Sequence, residues 1–471
     1  MTQPVPLEAA EINAAMVELK KTLDYQRRQV SHVDSWLRPN SERGFSVPQR
    51  ASAEHRALAD LARTPWLGLV VTNVAQAMYV DSVVTENGQD QELWKLWLDN
   101  DMARVQVANH YAMVSYGQSF GVVTPAEFSG TQSARIRCLS PNRMACMWTD
   151  PATDVYPELA LEARSADADN TQYRLYDDQY IYHVVATNTT DSYQVVGIDH
   201  HGVGVTPVCR FANSLDLDGN VTGEVTPFIP TAARINKTSY DRLLAQHFSS
   251  WKVRTIAGID MPVDDDPDVE KSLVEQQKLK LSQEDLLISE DPGTKFGTLD
   301  GTLLDTFVNA WRSDIEALAA VSQTPAHALT GQLVNLSPEA LAAARAPLTQ
   351  KVWERQVSAG ATYSRLLRLA ASINGLDTQA ADPLVRVTWQ DMEIRSMAQA
   401  VDALGKAASM LGIPKRALWN RIPGVERSDV QEWERLADQE QDADPINAVL
   451  RRHSAATADS AGDTSPVETQ E

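Results

Sequence analysis

The run Asp264-Asp265-Asp266-Pro267-Asp268 places four carboxylates within five residues. Such a run can ligate a hard cation or share a proton for acid-base work. It equally suits a solvated acidic turn at the start of a helix, where the helix dipole favours negative charge. The run Asp216-Leu217-Asp218-Gly219-Asn220 begins like a calcium loop. Its twelfth position is Pro227 instead of the required Glu, so Asp218-Gly219 reads as a turn. His200-His201 offers two imidazoles, but Gly202 and Gly204 follow and no paired acidic motif is near, which predicts a polar loop. The Gly-rich stretch 291–301 lacks the phosphate-loop pattern GxxxxGK[ST], and no GxSxG nucleophile elbow occurs. Cys138, Cys146 and Cys209 form no CxxC pair and no metal-ligand spacing, and are expected to be reduced thiols. These residues build no catalytic centre, and the expectation is a non-enzyme without a cofactor or metal.

The elements that would position such residues come from a chain of 471 residues, 43% hydrophobic and 22% charged. That length predicts two to four domains with ample core. The longest apolar run, at 66–80, is interrupted by Thr72, Asn73 and Gln76, so no membrane span is expected. The N-terminal residues lack a basic start followed by an apolar core, so no secretory signal is expected. A formal net charge of −21 argues against tight binding to a nucleic-acid backbone, which takes clustered Lys and Arg. It is compatible with a protein that touches DNA without holding it.

Periodicity predicts helices over 8–30, over 56–80 (one or two), and over 90–117 (one, ended by Gly117 and Gly121). A short strand and turn with Asn87-Gly88 at its tip lies between the last two. From about 120 to 213, short Val-, Ile-, Tyr- and Thr-rich runs separated by turn residues predict antiparallel strands, hence an α+β domain. Residues 214–230 read as a turn-rich linker. Helices are expected at 231–253 and 302–323, packed as a pair because the small insert 254–301 returns the chain to its start. Within the insert, a charged helix near 267–280 and the strand "DLLISE" are expected. Ser337 as N-cap and Pro338 in the first turn restart a longer helix that stops at Asn374-Gly375. A strand near 383–393, several short helices and an unstructured tail beyond 445 follow.

Several stretches together resemble the tailed-bacteriophage portal proteins, of the type found in phages of Gram-positive and actinobacterial hosts. They are "HYAMVSYGQSFGVVTP", "LSPNRMACMWTDPATDVYPELALEA", "VTPVCRFAN", "VRVTWQDMEIRSMAQAVDALGKAASMLGIP" and the segment 305–356. The last has the order helix, Thr-Pro-x-x-x-Leu turn, Gly-x-x loop and Ser-x-x-Ala-Leu restart. The resemblance covers roughly 60–440 and rests on the shared order of parts rather than on one motif.

The resemblance implies an α+β portal fold: a wing (1–230), a two-helix stem (231–253 and 302–323), and an inserted clip (254–301). A tunnel-loop region (324–337), a long kinked helix with a return strand (338–394), a helical crown (395–444) and the tail (445–471) complete it. It implies a ring of about twelve copies of the chain at one capsid vertex. Double-stranded DNA would pass through the ring without sequence-specific binding, during packaging and ejection. The implied partners are the terminase large subunit, the head-tail adaptor protein, and the major capsid and scaffolding proteins, with no membrane. The implied location is the virion, after a stage in the host cytoplasm. Thr330, Gly331, Gln332, Leu333, Val334 and Asn335 would form an uncharged tunnel loop facing DNA, and Pro347 would kink the long helix. Asp264, Asp265 and Asp266 would lie on a clip surface that meets the motor. The competing readings are a monomeric helical adaptor or scaffold and a metal-dependent enzyme.

Overall fold

The computed structural model describes residues 5–38, 52–86, 88–128, 131–166, 170–187, 193–250, 254–257, 295–298, 304–331, 338–390, 397–419, 421–422, 425 and 427–443. Two compact units divide the chain, 1–389 and 390–471.

The first unit opens with helices α1 (Ala9–Leu37), α2 (Ala53–Ala62) and α3 (Trp66–Ala75). Strands β1 (Val80–Thr85) and β2 (Gly88–Gln89) form a hairpin, and helices α4 (Gln91–Asp99) and α5 (Met102–Tyr116) follow. The expected single helix over 90–117 is therefore two. Its apolar spacing runs through the break, which is why the sequence reads as one. The backbone turns at Asp101, with φ 55°, and Asn100 explains the turn. Its side-chain amide donates to Ala134 O at 3.1 Å and accepts from Ile136 N–H at 2.8 Å. Ending α4 at Asn100 satisfies two main-chain groups of a neighbouring strand.

That strand is β4 (Thr131–Leu139), paired with β3 (Gln118–Phe128), which also pairs with β10 (Val208–Ala212). Gly117, with φ +87°, ends α5 as expected. Gly121 does not act as a helix stop. It lies within β3, where a Cβ would overlap Leu366, so the missing side chain lets strand and helix pass closely. A five-stranded antiparallel meander follows: β5 (Met144–Met147), β6 (Leu159–Ala166), β7 (Asn170–Tyr176), β8 (Tyr180–Thr187) and β9 (Tyr193–His200). Every strand pair among the described residues is antiparallel, as the short strands and tight turns predict.

The five-stranded sheet buries one face under the first half of α1. Met16, Leu19 and Leu23 pack there with Leu161, Leu175, Tyr182 and Val184. The second half of α1 reaches the main core through Val33 and Leu37. A buried ion pair joins the two sheets. Arg137 on β4 donates to both carboxylate oxygens of Glu162 on β6, at 2.6 and 2.9 Å, and Tyr176 OH donates to the same carboxylate at 2.5 Å.

The turn-rich linker expected at 214–230 is partly buried. Leu215 and Val221 form a β-bridge, Thr226–Phe228 make one 3-10 turn, and Glu224 and Val225 are buried. Helix α6 (Ile229–Ser250) then packs antiparallel to the helix Leu304–Val321. Arg234 Nε lies 2.8 Å from Asp314 Oδ1, Thr238 Oγ1 donates to Asp314 Oδ2 at 2.8 Å, and the Arg242 guanidinium lies 5.5 Å from the Trp311 ring. The expected helix pair is therefore present. Strands β11 (Arg254–Ala257) and β12 (Lys295–Thr298), between those helices in sequence, pair as a two-stranded ribbon. The expected helix near 267–280 and the strand "DLLISE" lie outside the described residues, as do Asp264, Asp265, Asp266 and the tail.

The helix Pro338–Ile373 is continuous through Pro347 and ends at Gly375. Leu348, Val352, Ala359, Tyr363, Leu366 and Ala370 are buried at helical spacing. Between residues 340 and 347 no side chain is buried, so the core-facing stripe begins one residue after the proline. Strand β13 (Arg386–Trp389) then returns to pair with β1, Val83 opposite Val387. In the second unit, helices Met397–Leu411, Arg416–Trp419 and Arg427–Ala443 are described. There Trp419 meets Trp433 edge to face at 6.2 Å, and Arg416 bonds Asp438 at 2.6 Å.

Burial alone would raise the Glu162 carboxyl, but Arg137 and Tyr176 overcome it and hold the folded-state value at about 2, against an ordinary 4.5. A depressed carboxyl stabilises the fold above the unfolded value and loses that contribution as pH falls through the folded one. The window is therefore pH 4.5 down to about 2, and the amount about 3 kcal/mol. Glu162→Gln should lower stability at neutral pH by about 3 kcal/mol in urea unfolding and flatten acid unfolding across that window. An unchanged acid limb would remove this role for the pair.

Candidate functional site

The segment between the helices Leu304–Val321 and Pro338–Ile373 is the part of the chain the sequence singled out. The first helix ends in a Schellman motif: Thr324 N–H donates to Ala319 O at 3.0 Å and Gln323 N–H to Ala320 O at 3.3 Å. The left-handed position is held by Gln323, with φ 53°, where glycine is usual, and Pro325 prevents the helix from resuming at once. A short helix, Ala326–Thr330, follows and is anchored in the main core by Leu329. Thr330 Oγ1 donates to Ala326 O at 3.0 Å. Gly331 caps this turn with φ +68°, and its N–H donates to His327 O at 3.0 Å. A side chain there would meet no neighbour, so glycine serves the backbone conformation. Gln332, Leu333, Val334, Asn335 and the expected N-cap Ser337 lie outside the described residues.

Both flanks of this segment are tied to one buried charge cluster that the sequence reading missed. Lys351 Nζ donates to Glu224 Oε2 at 2.9 Å and also to the main-chain oxygen of Ser322. Arg355 donates to Glu224 Oε1 at 2.9 Å, and Asn213 Nδ2 to the same oxygen at 3.3 Å. The Lys351 and Glu224 side chains are only 4% and 7% exposed. Burial raises the Glu224 carboxyl, and the charges and hydrogen bonds of Lys351 and Arg355 more than reverse that, so it stays ionised below the usual carboxylate range. One ammonium therefore fixes the end of the helix before the segment to the helix after it. The available signal was two cations at i and i+4 lying in the apolar stripe of Leu348, Val352 and Ala359.

The other candidate residues have local structural roles. His201 is buried; its Nε2 donates to Asp177 O at 3.1 Å and its Nδ1 accepts from Val203 N–H at 3.3 Å, so both nitrogens are used within the turn. The polar loop expected at these two residues begins only at His201, because the exposed His200 closes β9. Asp216 accepts from Asn220 N–H at 2.8 Å and Asp218 N–H at 3.0 Å, which makes the turn expected at Asp218-Gly219. The three cysteines are free thiols, and burial pushes Cys138 and Cys209 up to about 12. His110 is buried between Met78 O and Tyr363 OH, each at 3.0 Å, and burial lowers it to about 4. None of these groups meets a second one in an arrangement for proton or group transfer. Among the described residues no cluster of three or more His, Cys, Asp or Glu could hold a metal, and no helix is long and apolar enough to cross a membrane.

Removing one partner of a buried pair leaves the other uncompensated, at about 3–5 kcal/mol. Lys351→Met should cost that order in urea unfolding. A double-mutant cycle with Glu224→Gln should return a coupling above about 1 kcal/mol, and amide exchange at Gln323 and Thr324 should accelerate. Additive single changes would mean that Lys351 does not act through Glu224.

A family model described as "Phage portal protein, SPP1 Gp6-like" matches residues 19–445. No curated protein matches the chain. Similar solved structures include the neck of a native GTA particle computed with C12 symmetry, 11% identical over 83% of this chain and 95% of that one, TM-score 0.46. Another is the virion of a native gene transfer agent particle, 12% identical over 81% and 99%, TM-score 0.44. A third is the neck of an empty GTA particle computed with C6 symmetry, 13% identical over 80% and 95%, TM-score 0.41. Likenesses at TM-scores below 0.5 decide nothing further about this chain. The family match takes in most of the sequence, and the chain belongs to the SPP1 Gp6-like family of phage portal proteins.

Proposed function

We propose that this portal-family chain forms a closed ring of about twelve copies at one capsid vertex, through which double-stranded DNA is packaged and ejected. The observation that supports the reading is the break in the chain's helices after Val321, whose end is tied through Lys351 to Glu224 and the long helix. A loop that must face moving DNA needs a rigid base.

On this reading residues 1–230 are the wing, and α6 with the helix Leu304–Val321 is the stem. The insert 254–301 is the clip, docking the terminase large subunit and later the head-tail adaptor. The helices after residue 394 are the crown. Thr330 to Asn335 form the tunnel loop. The uncharged run Gln332-Leu333-Val334-Asn335 can touch phosphates without the ion pairs that would hold DNA through counterion release. The net charge of −21 acts in the same sense. Pro347 kinks the long helix at the place where its core-facing stripe begins. Asp264, Asp265 and Asp266 offer the clip an acidic surface for a basic partner. The ring resides in the virion after assembly in the host cytoplasm, next to the major capsid and scaffolding proteins.

Negative-stain electron microscopy of the purified protein, with its mass in solution, tests the assembly. Rings with a central hole and a mass near a dozen chains are expected; a stable monomer of 51.9 kDa under all assembly conditions would refute it. Replacing Leu333 and Val334 with Lys should leave ring formation intact and impair packaging. Particles that fill with DNA normally would exclude these residues from the channel.

A further inference from the structure

A cleft of about 190 Å³ opens between the long helix, β10 and the turn after β5, away from the segment just discussed. Its lining carries two guanidinium groups, Arg210 and Arg365, with Trp148, Thr362 and Asp154. Arg210 is held from two sides: its guanidinium lies 4.5 Å from the Trp148 ring centroid, and one Nη donates to Pro151 O. Stacking and that single bond fix its plane but use few of its five donors. Arg365 lies one turn beyond Thr362 on the same helix. Neither arginine has a carboxylate partner within ion-pair distance among the described residues. Asp154 lines the cleft without pairing with either arginine, and its Oδ2 accepts from Asp150 N–H at 2.7 Å. By contrast Arg137 and Arg355, also half-buried, are paired with Glu162 and Glu224.

We infer that the cleft is a socket for an Asp or Glu side chain presented by a second copy of this chain. Three observations support that occupant. The cleft, about 190 Å³, has room for one carboxylate and its stem. A guanidinium fixed by an aromatic ring presents a planar fork that matches a carboxylate. The chain carries 63 acidic against 42 basic residues, so the surface a neighbouring copy offers is mostly carboxylate. Copies of so acidic a chain repel one another, and an uncompensated basic cleft is where such repulsion becomes attraction.

The inference rests on the ring reading, and sedimentation of wild-type protein and of Arg365→Glu across a concentration series separates the two. Wild-type rings, with the variant needing at least tenfold higher concentration to assemble, are expected. Hydrogen exchange should show backbone protection at residues 210–212 and 358–365 in the ring relative to the monomer. Arg365→Gln keeps the side-chain length without the charge and should show the same direction of change. It decides the matter should the Glu variant fail to fold by circular dichroism. A wild type that never assembles removes the ring reading and this inference together. Wild-type rings with both variants assembling normally overturn this inference alone. Unchanged rings whose cleft binds added inorganic phosphate, lost in Arg365→Gln, overturn it in favour of a free oxyanion.

Discussion

A carboxylate that is 7% exposed has lost most of its hydration and needs other charges or donors to offset that loss, and Glu224 has two cations at 2.9 Å. Meeting that requirement draws three separate parts of the chain to one point. Glu224 belongs to the connection between β10 and α6, and its own N–H donates to Val114 O at 2.8 Å at the end of α5. Lys351 and Arg355 belong to the long helix. Through Lys351 the constraint passes to Ser322, at the end of the helix Leu304–Val321. The segment between the helices Leu304–Val321 and Pro338–Ile373 is thus founded on a polar contact inside an apolar core. Polar contacts demand specific geometry where apolar ones tolerate sliding.

The same device recurs at Arg137, Glu162 and Tyr176, between the β10-β3-β4 sheet and the five-stranded one. Sheet faces packed through aliphatic side chains can shift by fractions of a residue, and a bidentate pair with a phenol bonded to it cannot. The guanidinium thus adds a directional constraint to the apolar contacts and to α1, which also join the five-stranded sheet to its neighbour. The long helix supplies the third constraint. Its stripe from Leu348 to Ala370 touches β3, β10 and β13, so most of the first unit is packed around it.

The elements with a regular pattern were readable from sequence. The antiparallel strands of 118–212, the helix pair around the insert, and the stop at Gly375 follow from alternation, 3.6-residue spacing and glycine at a left-handed position. What escaped were choices made by tertiary contacts. Asn100 breaks a helix to serve two main-chain groups of β4, and no local pattern announces that. Gly121 looks like a helix stop and is a close crossing with Leu366. Lys351 and Arg355 look like solvent-facing cations unless their place within the apolar stripe is counted. Glu224 stands in a turn-rich stretch whose composition suggests exposure. Of the segment expected to face the channel, Thr330 and Gly331 are placed as the end and cap of a short helical turn.

The pairing of β1 with β13 joins residues 304 positions apart, Val83 with Val387. During synthesis at about 5–20 residues per second, β1 emerges roughly 15–60 s before its partner exists. For that interval one long edge of the strand has no ladder to complete, and an open edge is where nascent chains associate wrongly. The chain carries two safeguards at this edge. β2 covers the other side through a hairpin made within a few residues, and Asp81 places a negative charge on β1 that later accepts a hydrogen bond from Thr388. The first unit closes only when its last strand arrives, so a chain truncated before residue 386 keeps most of its residues and lacks the strand that seals them.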